Sequence, residues 1–482
     1  MGRSSNGRNR AEIPSVTFNP DQPCESLHTQ KSRQLYYQPE EGFWMVMTVN
    51  VPSISKTKDG LEYMEYQGDD VQDNVFRAVL RQAYHMFRLF KGTFNHILDR
   101  RAGDVTYLRQ KLDHFYSRVL MYVDFVFLGD SGSLFSALWF CPNVVAGPIT
   151  GGDAEFTGCE GACMEYSHLH PKEEESCLRM SAKSQYLLTL KLNHCDILDV
   201  FQGIQFLPLD KQTFLRVHCF VNFVEAMFVQ VKHTAFLYND QLVWSGLEPE
   251  DMQVVYRYLV TSLLPAHMET ELQGGSMPRH STSPFSSTHY GRFVTGPLNL
   301  QDSCGSTGKV PKVHINNLTC PESYHLIVYR ALSATLCLFV DGSLQLGIDL
   351  FKRLDVFLGP QLTSIVSEVA EQCSKQASTP GGTTNSVDSA PKFVYFNQLN
   401  LAQKSTVHLD SRRTGNVSVT PEVLRLLADI NADKNRLSTT GEVILKTMSD
   451  YWVVGKLSNL REFYVVIHQK NANLIEINGL YF

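Results

Sequence analysis

Four places in this 482-residue sequence carry residue types and spacings that could do chemistry, and the surroundings decide each of them. Cys159, Cys163, His168, His170 and Cys177 form the only dense set of soft donors, and four such groups placed tetrahedrally hold zinc. Their intervals match no common zinc module, and their segment has no periodicity to position them, so no metal is assigned. Gly129-Asp130-Ser131-Gly132 sets a serine between glycines, as an exposed nucleophile requires, but no histidine and aspartate precede it in a matching context. Gly305-Ser306-Thr307-Gly308-Lys309 is glycine-rich and ends in lysine. It lacks the four-residue interval of a phosphate loop, and Val310 stands where a hydroxyl would hold magnesium. Asp429, Asn431 and Asp433 alternate like the first ligands of a calcium loop, yet Lys434 replaces the required glycine and Thr440 the bidentate acid. These three residues read as the solvated face of a helix over 421–437. No nucleophile has a base in context, so the sequence assigns no catalytic, cofactor-binding or metal residue, and an independent enzyme is disfavoured.

The elements that would position any site are clearer. Thr234–Leu247, TAFLYNDQLVWSGL, is a strand–turn–strand in which Asn239-Asp240 supplies the left-handed backbone of a tight turn. Both faces of both strands are apolar, which predicts a sheet covered on both sides. Glu248–Leu264 reads as a helix that would be one cover, stopped by Pro265. Asp70–Phe90 has one broad apolar face at helical spacing, with acidic residues at its start and basic residues before Gly92.

Around these, Gly42–Pro52 reads as a strand with Leu61–Gln67 as its hairpin mate, and Val105–Val119 and Lys211–Val231 as helices. Gly291–Leu300, Val310–Ile315, Tyr324–Arg330 and Ala334–Asp341 read as extended. Leu346–Phe357 and Gln361–Cys373 read as two helices parted at Gly359-Pro360. A strand at Lys392–Phe396, the helix 421–437 and a hairpin of Tyr451–Lys456 with Glu462–His468, turned at Ser458-Asn459, complete the reading. A further helix is expected from Ala472. The rhythm of hairpins and helices recurs three times, at 27–231, 232–374 and 391–482, after a tail at 1–26 and across a Ser/Thr/Gly/Pro linker at 375–390. That pattern predicts an α+β protein with antiparallel sheets and helices packed on them.

Composition narrows the setting. An apolar fraction of 43% and a charged fraction of 19% are those of globular chains. With 43 basic against 49 acidic residues, the net charge of −6 argues against nucleic acid as a main partner. Eleven dispersed cysteines and a polar first twenty residues suggest reduced thiols in the cytosol. No run of about 18 apolar residues would span a bilayer.

The ordered segments SLHTQKSRQ (26–34), FWMVM (43–47), TAFLYNDQLVWSGLE (234–248), HYGRFVTGPLNL (289–300), HLIVYRAL (325–332), AQKSTVHL (402–409), MSDYWVVGK (448–456) and EFYVVIHQKNANLIE (462–476) resemble the vacuolar fusion protein Ccz family. The resemblance runs through most of residues 26–478. It implies a tri-longin protein: three longin domains, each an antiparallel sheet with helices on both faces. It further implies an obligate heterodimer with a second tri-longin protein, the monensin-sensitivity partner Mon. That pair is the guanine nucleotide exchange factor of the late-endosomal Rab GTPase (Rab seven), and in animals it recruits a regulatory third subunit. The chain would be cytoplasmic, meeting late-endosomal and lysosomal membranes peripherally. It would need no cofactor and no catalytic side chain.

In that family the first longin domains of both subunits pair and present the Rab-binding surface. The candidate partner or Rab interface is therefore Phe43, Trp44, Val75, Val79 and Tyr84, on Gly42–Pro52 and the helix 70–90. Three departures from the family pattern are expected. Strands that should precede SLHTQK are not supplied by 1–25, residues 120–185 interrupt the first domain, and the last helix ends at INGLYF. A faulty gene model or an alternative transcript would explain all three. If the first domain is thus N-terminally truncated and interrupted, the alternative function is a non-catalytic isoform that joins the Mon partner without exchange activity.

Overall fold

The computed structural model describes residues 25–51, 53–58, 61–66, 73–127, 138–142, 200–268, 279–280, 288–297, 300, 308–315, 322–378, 392–407 and 419–468. The cysteine–histidine cluster, Gly129–Gly132, Gly305–Thr307 and the helix expected from Ala472 lie outside them.

Three sheets organise the chain. The first has the order β1-β2-β3-β6, built from β1 (Ser26–His28), β2 (Ser32–Glu40), β3 (Phe43–Asn50) and β6 (Leu138–Pro142). Among the described residues, its strands begin at Ser26, within and just after the SLHTQK segment. Part of the segment read as an interruption also belongs to the fold, since Leu138–Pro142 pairs antiparallel with Phe43–Met47. Five consecutive residues carry too little alternation to be recognised as a strand. The mate expected for β3 is likewise different: β5 (Leu61–Tyr66) pairs with β4 (Ser53–Lys58) in a separate ribbon, while β3 pairs with β2.

Helix α1 (Asp73–Lys91) lies on this sheet, followed by α2 (Phe94–Asp99) and α3 (Val105–Phe127). The side chain of Asp73 receives hydrogen bonds from His28 Nε2 (2.6 Å) and Arg33 Nη1 (3.1 Å), which ties the helix start to β1 and β2. Gly92, at φ +88°, ends the helix in the left-handed conformation that glycine adopts without strain.

The second sheet has the order β12-β14-β15-β8-β9, with β13 also on β14. Its strands are β8 (Val231–Tyr238), β9 (Gln241–Ser245), β12 (Gly291–Phe293), β13 (Lys312–Ile315), β14 (Glu322–Ala331) and β15 (Ala334–Asp341). A short pair, β10 (Arg279–His280) with β11 (Thr288–His289), stands beside it. The turn between β8 and β9 has φ of 46° at Asn239 and 63° at Asp240, the double left-handed turn that matches strand twist. Along β8 the side chains alternate between two cores. Ala235 and Leu237 face one and Phe236 and Tyr238 the other, so this sheet is covered on both faces as its pattern predicts.

The covers are α4 (Lys211–Met227) and α6 (Ile348–Ser378) on one face and α5 (Pro249–Tyr258) on the other. Helix α4, which the sequence groups with the first domain, packs on β8 and α6 of the second. Both expected proline breaks are absent. Helix α6 runs through Pro360 because Phe351, Leu354, Leu358, Leu362 and Ile365 all bury on one face. The carbonyl deprived of a donor belongs to Val356, at an exposed position where water reaches it. Helix α5 continues through a wide turn, Leu259–Leu263, in which the Leu264 N–H reaches the Leu259 carbonyl five residues back. Pro265 enters where the ladder is already offset, and the helix extends to Met268.

The third sheet has the order β18-β19-β20-β16-β17-β7. It comprises β7 (Ile204–Gln205), β16 (Lys392–Asn397), β17 (Ala402–Ser405), β18 (Glu442–Lys446), β19 (Tyr451–Ser458) and β20 (Arg461–His468). Its last hairpin turns at Asn459-Leu460 (φ 48° and 62°), one residue beyond the expected turn. The helix read over 421–437 is two, α7 (Pro421–Ala432) and α8 (Lys434–Thr440). Asp433 breaks the run and caps the second, its side chain accepting from the Arg436 N–H. Of the 429/431/433 set, Asp429 and Asp433 are exposed as read, and Asn431 is not. Asn431 is buried, donating through Nδ2 to Glu462 Oε2 (2.8 Å) and to the Tyr464 hydroxyl (3.1 Å).

Candidate partner-binding site

The five interface candidates converge on α1 and the strand beside it, and the structure sorts them by depth. Phe43, Val79 and Tyr84 are buried in the first core, while Trp44 and Val75 are half-buried. Phe43 and Tyr84 meet through Phe94, with ring centroids 5.4 Å and 5.2 Å from it. Phe87 extends the same aromatic core to Phe115 and Tyr116.

A half-buried carboxylate locks this cluster. Glu40 accepts the Tyr84 hydroxyl at 2.8 Å and the N–H groups of Phe94 and Asn95 at 2.6 and 3.0 Å, so it satisfies the start of α2. Burial, with the Glu40 charge beside it, raises the Tyr84 phenol above its ordinary range, so it stays a protonated donor. As folded, these three residues offer no surface to a partner.

Val75 packs instead against the third core, and Val79 lies in the core shared by the first and second units. Helix α1 is therefore a hub, in contact with β2, β13, α5 and α7. Of the five candidates, only Trp44 stands on the face of the first sheet away from α1, next to the half-buried Tyr36 and Val46. That face is the part of the candidate site from which a partner could be touched.

A cationic cleft went unread in the sequence. The end of α1, α2, the start of α3 and β13 bring together Lys91, His96, Arg100, Arg101, Lys111 and His314. The adjacent arginines and the nearby lysine were the only available signal, and His314 arrives from another unit.

Among the described residues no group of three or more His, Cys, Asp or Glu side chains could hold a metal ion. The buried polar pairs Tyr329–Asp355 (2.9 Å) and Tyr464–Glu462 (2.6 Å) are enclosed between sheet and helix. No helix among the described residues is long and apolar enough to cross a membrane.

Three largely antiparallel sheets with packed helices, repeated in series, define a protein of three longin-like domains. Comparison with family models agrees. The first longin domain of INTU, CCZ1 and HPS4 matches residues 14–92, Intu longin-like domain 2 matches 231–360, and Intu longin-like domain 3 matches 387–482. Among curated relatives, the vacuolar fusion protein CCZ1 homolog of Xenopus laevis is 43% identical over 465 residues, covering 96% of this chain and 83% of that one. The homolog of Nematostella vectensis is 44% identical over 463 residues with the same coverage, and that of Dictyostelium discoideum 24% over 466. The chain belongs to the vacuolar fusion protein CCZ1 family.

Proposed function

We propose that this chain is one subunit of a heterodimeric guanine nucleotide exchange factor for the late-endosomal Rab GTPase (Rab seven), paired with a Mon-type tri-longin subunit. A regulatory third subunit completes the assembly in animals. The relatives are vacuolar fusion proteins, and the chain has a role in vacuolar fusion. The observation that carries the finer reading is the chain-long relation to those proteins, joined to three longin-like units in series.

The mechanism asks no catalytic side chain of this chain. An exchange factor binds the nucleotide-free GTPase more tightly than the loaded form, so it shifts the population toward nucleotide release. Switch segments and magnesium are displaced, GDP leaves and GTP enters. The outer face of the first sheet, with Tyr36, Trp44 and Val46, is the surface we assign to the partner or the Rab. Membrane contact is peripheral, at late endosomes and lysosomes.

The test is release of labelled GDP from the Rab by the purified heterodimer. Acceleration over the Rab alone is expected, and none with an intact heterodimer would sink the reading. Capture of the Mon partner with flat exchange kinetics would instead identify a binding subunit without exchange activity.

A further inference from the structure

The cationic cleft has a volume of about 480 Å³, within the range of small-molecule sites. Its lining holds four permanent cations, Lys91, Arg100, Arg101 and Lys111, two imidazoles, His96 and His314, and no carboxylate. The chain as a whole is acidic, at net −6, so this concentration of like charge runs against its composition. Gathering like charges costs free energy unless an opposite charge completes them.

Two of the cations are also held in place. The Arg101 guanidinium lies 4.5 Å and the Lys111 ammonium 5.2 Å from the centroid of the Tyr107 ring, so one aromatic face gathers two positive charges. Among the described residues Arg100, Arg101 and Lys111 form no ion pair with a carboxylate. His314 brings a second unit to the wall, and its Nδ1 is buried without a hydrogen-bond partner. Phe90 and Ile97 supply apolar lining.

We propose that this cleft is a binding site for a small, multiply phosphorylated anion, seated across the junction of the first and second longin-like units. Guanidinium and ammonium groups around a concave wall suit phosphate oxygens, which accept several charge-assisted hydrogen bonds at once. Such a ligand would brace α2 and α3 against β13. The phosphates have two sources, a free inositol polyphosphate or a phosphoinositide headgroup, and the experiment separates them.

Inositol hexakisphosphate is titrated calorimetrically into the full-length chain in complex with its partner subunit, at about 150 mM salt. In parallel, the same complex is floated with phosphatidylcholine vesicles with and without phosphoinositide. Saturable binding of one ligand per chain is expected, weakened about tenfold or more by the pair Arg101→Gln and Lys111→Gln, and separately by Arg100→Gln. Unchanged melting of both variants shows that they fold. Calorimetric binding alone assigns a soluble ligand, and flotation sensitive to the same substitutions assigns the headgroup. Absence of both, or binding that all three substitutions leave unchanged, overturns the proposal.

Discussion

Asn431 sits on the wrong side of its helix for a solvated residue, and that makes its removal measurable. Its Nδ2 donates to Glu462 Oε2 at 2.8 Å and to the Tyr464 hydroxyl at 3.1 Å, while Tyr464 itself donates to the same carboxylate at 2.6 Å and Gln398 donates to the other oxygen. Glu462 is 1% exposed, so water does not replace a lost donor. Asn431→Ala deletes one hydrogen bond to a carboxylate and one to a neutral hydroxyl, together about 2–4 kcal/mol. Alanine returns about 0.5 kcal/mol through its higher helix propensity, leaving a net loss of about 1.5–3.5 kcal/mol. Denaturant unfolding of the full chain should show this loss. Hydrogen exchange should speed up in β16 and β20, the strands that carry or flank the network, and remain unchanged in β8 and β15. A loss below about 0.5 kcal/mol, the usual range of surface substitutions, would refute the buried network as a stabilising feature. The same protein should melt identically with and without millimolar calcium, because the Asn431 side chain is already engaged.

Two further outcomes follow from single positions. His85 is half-buried beside Arg88 and Arg81, and loss of solvent first, then those charges, push its imidazole down to about 4. The unfolded chain then binds more protons than the folded one between the ordinary histidine value and about 4. Stability should fall as pH drops through that window, by about 2 kcal/mol at pH 5 from this group. His85→Gln should flatten that part of the dependence in denaturant melts at pH 7.5 and 5. Gly455 lies on β19, and a Cβ there would meet Ile430 Cγ2 at 2.7 Å and the Tyr464 ring at 3.3 Å. Gly455→Ala should therefore cost about 1–3 kcal/mol through overpacking, read as a lowered midpoint in denaturant.

Local signals were legible where they agreed with one another. The 234–247 hairpin combined apolar strands with Asn-Asp, and helix α1 combined a wide apolar face with charges at both ends. Both stand in the structure as read. What was hidden depended on partners distant in the chain. Ser32–Glu40 receives no element from its own pattern, yet it pairs with Phe43–Asn50. Leu61–Tyr66 found a nearer mate than β3, across a short connection. Pro360 signals a break locally, but the apolar side chains around it bury together and outweigh the missing N–H. Asn431 reads as solvated until β20 brings Glu462 and Tyr464 against it. The interface candidates were chosen for their domain, and depth then divided them. Phe43 and Tyr84 serve the aromatic core, and Val75 reaches a unit more than 300 residues on in sequence, a relation that no window of sequence can display.

The short strand β7 has a consequence for how the chain is made. Ile204 and Gln205 pair in parallel with Ala402 and Gln403, and the Gly203 N–H donates to Gln403 Oε1 across 200 residues of chain. The next residue, Phe206, bridges to Leu242 of the second sheet, and the Leu207 N–H reaches the Leu242 carbonyl at 2.9 Å. One segment is thus shared between an early partner and a late one. At about 5–20 residues per second of synthesis, the late partner follows roughly 10–40 s behind. During that interval the second unit can close on Phe206 while Ile204 still lacks its neighbour. The joint between the second and third units is consequently a late event in biogenesis, and a nascent chain stalled before residue 403 would leave that backbone edge open to chaperones.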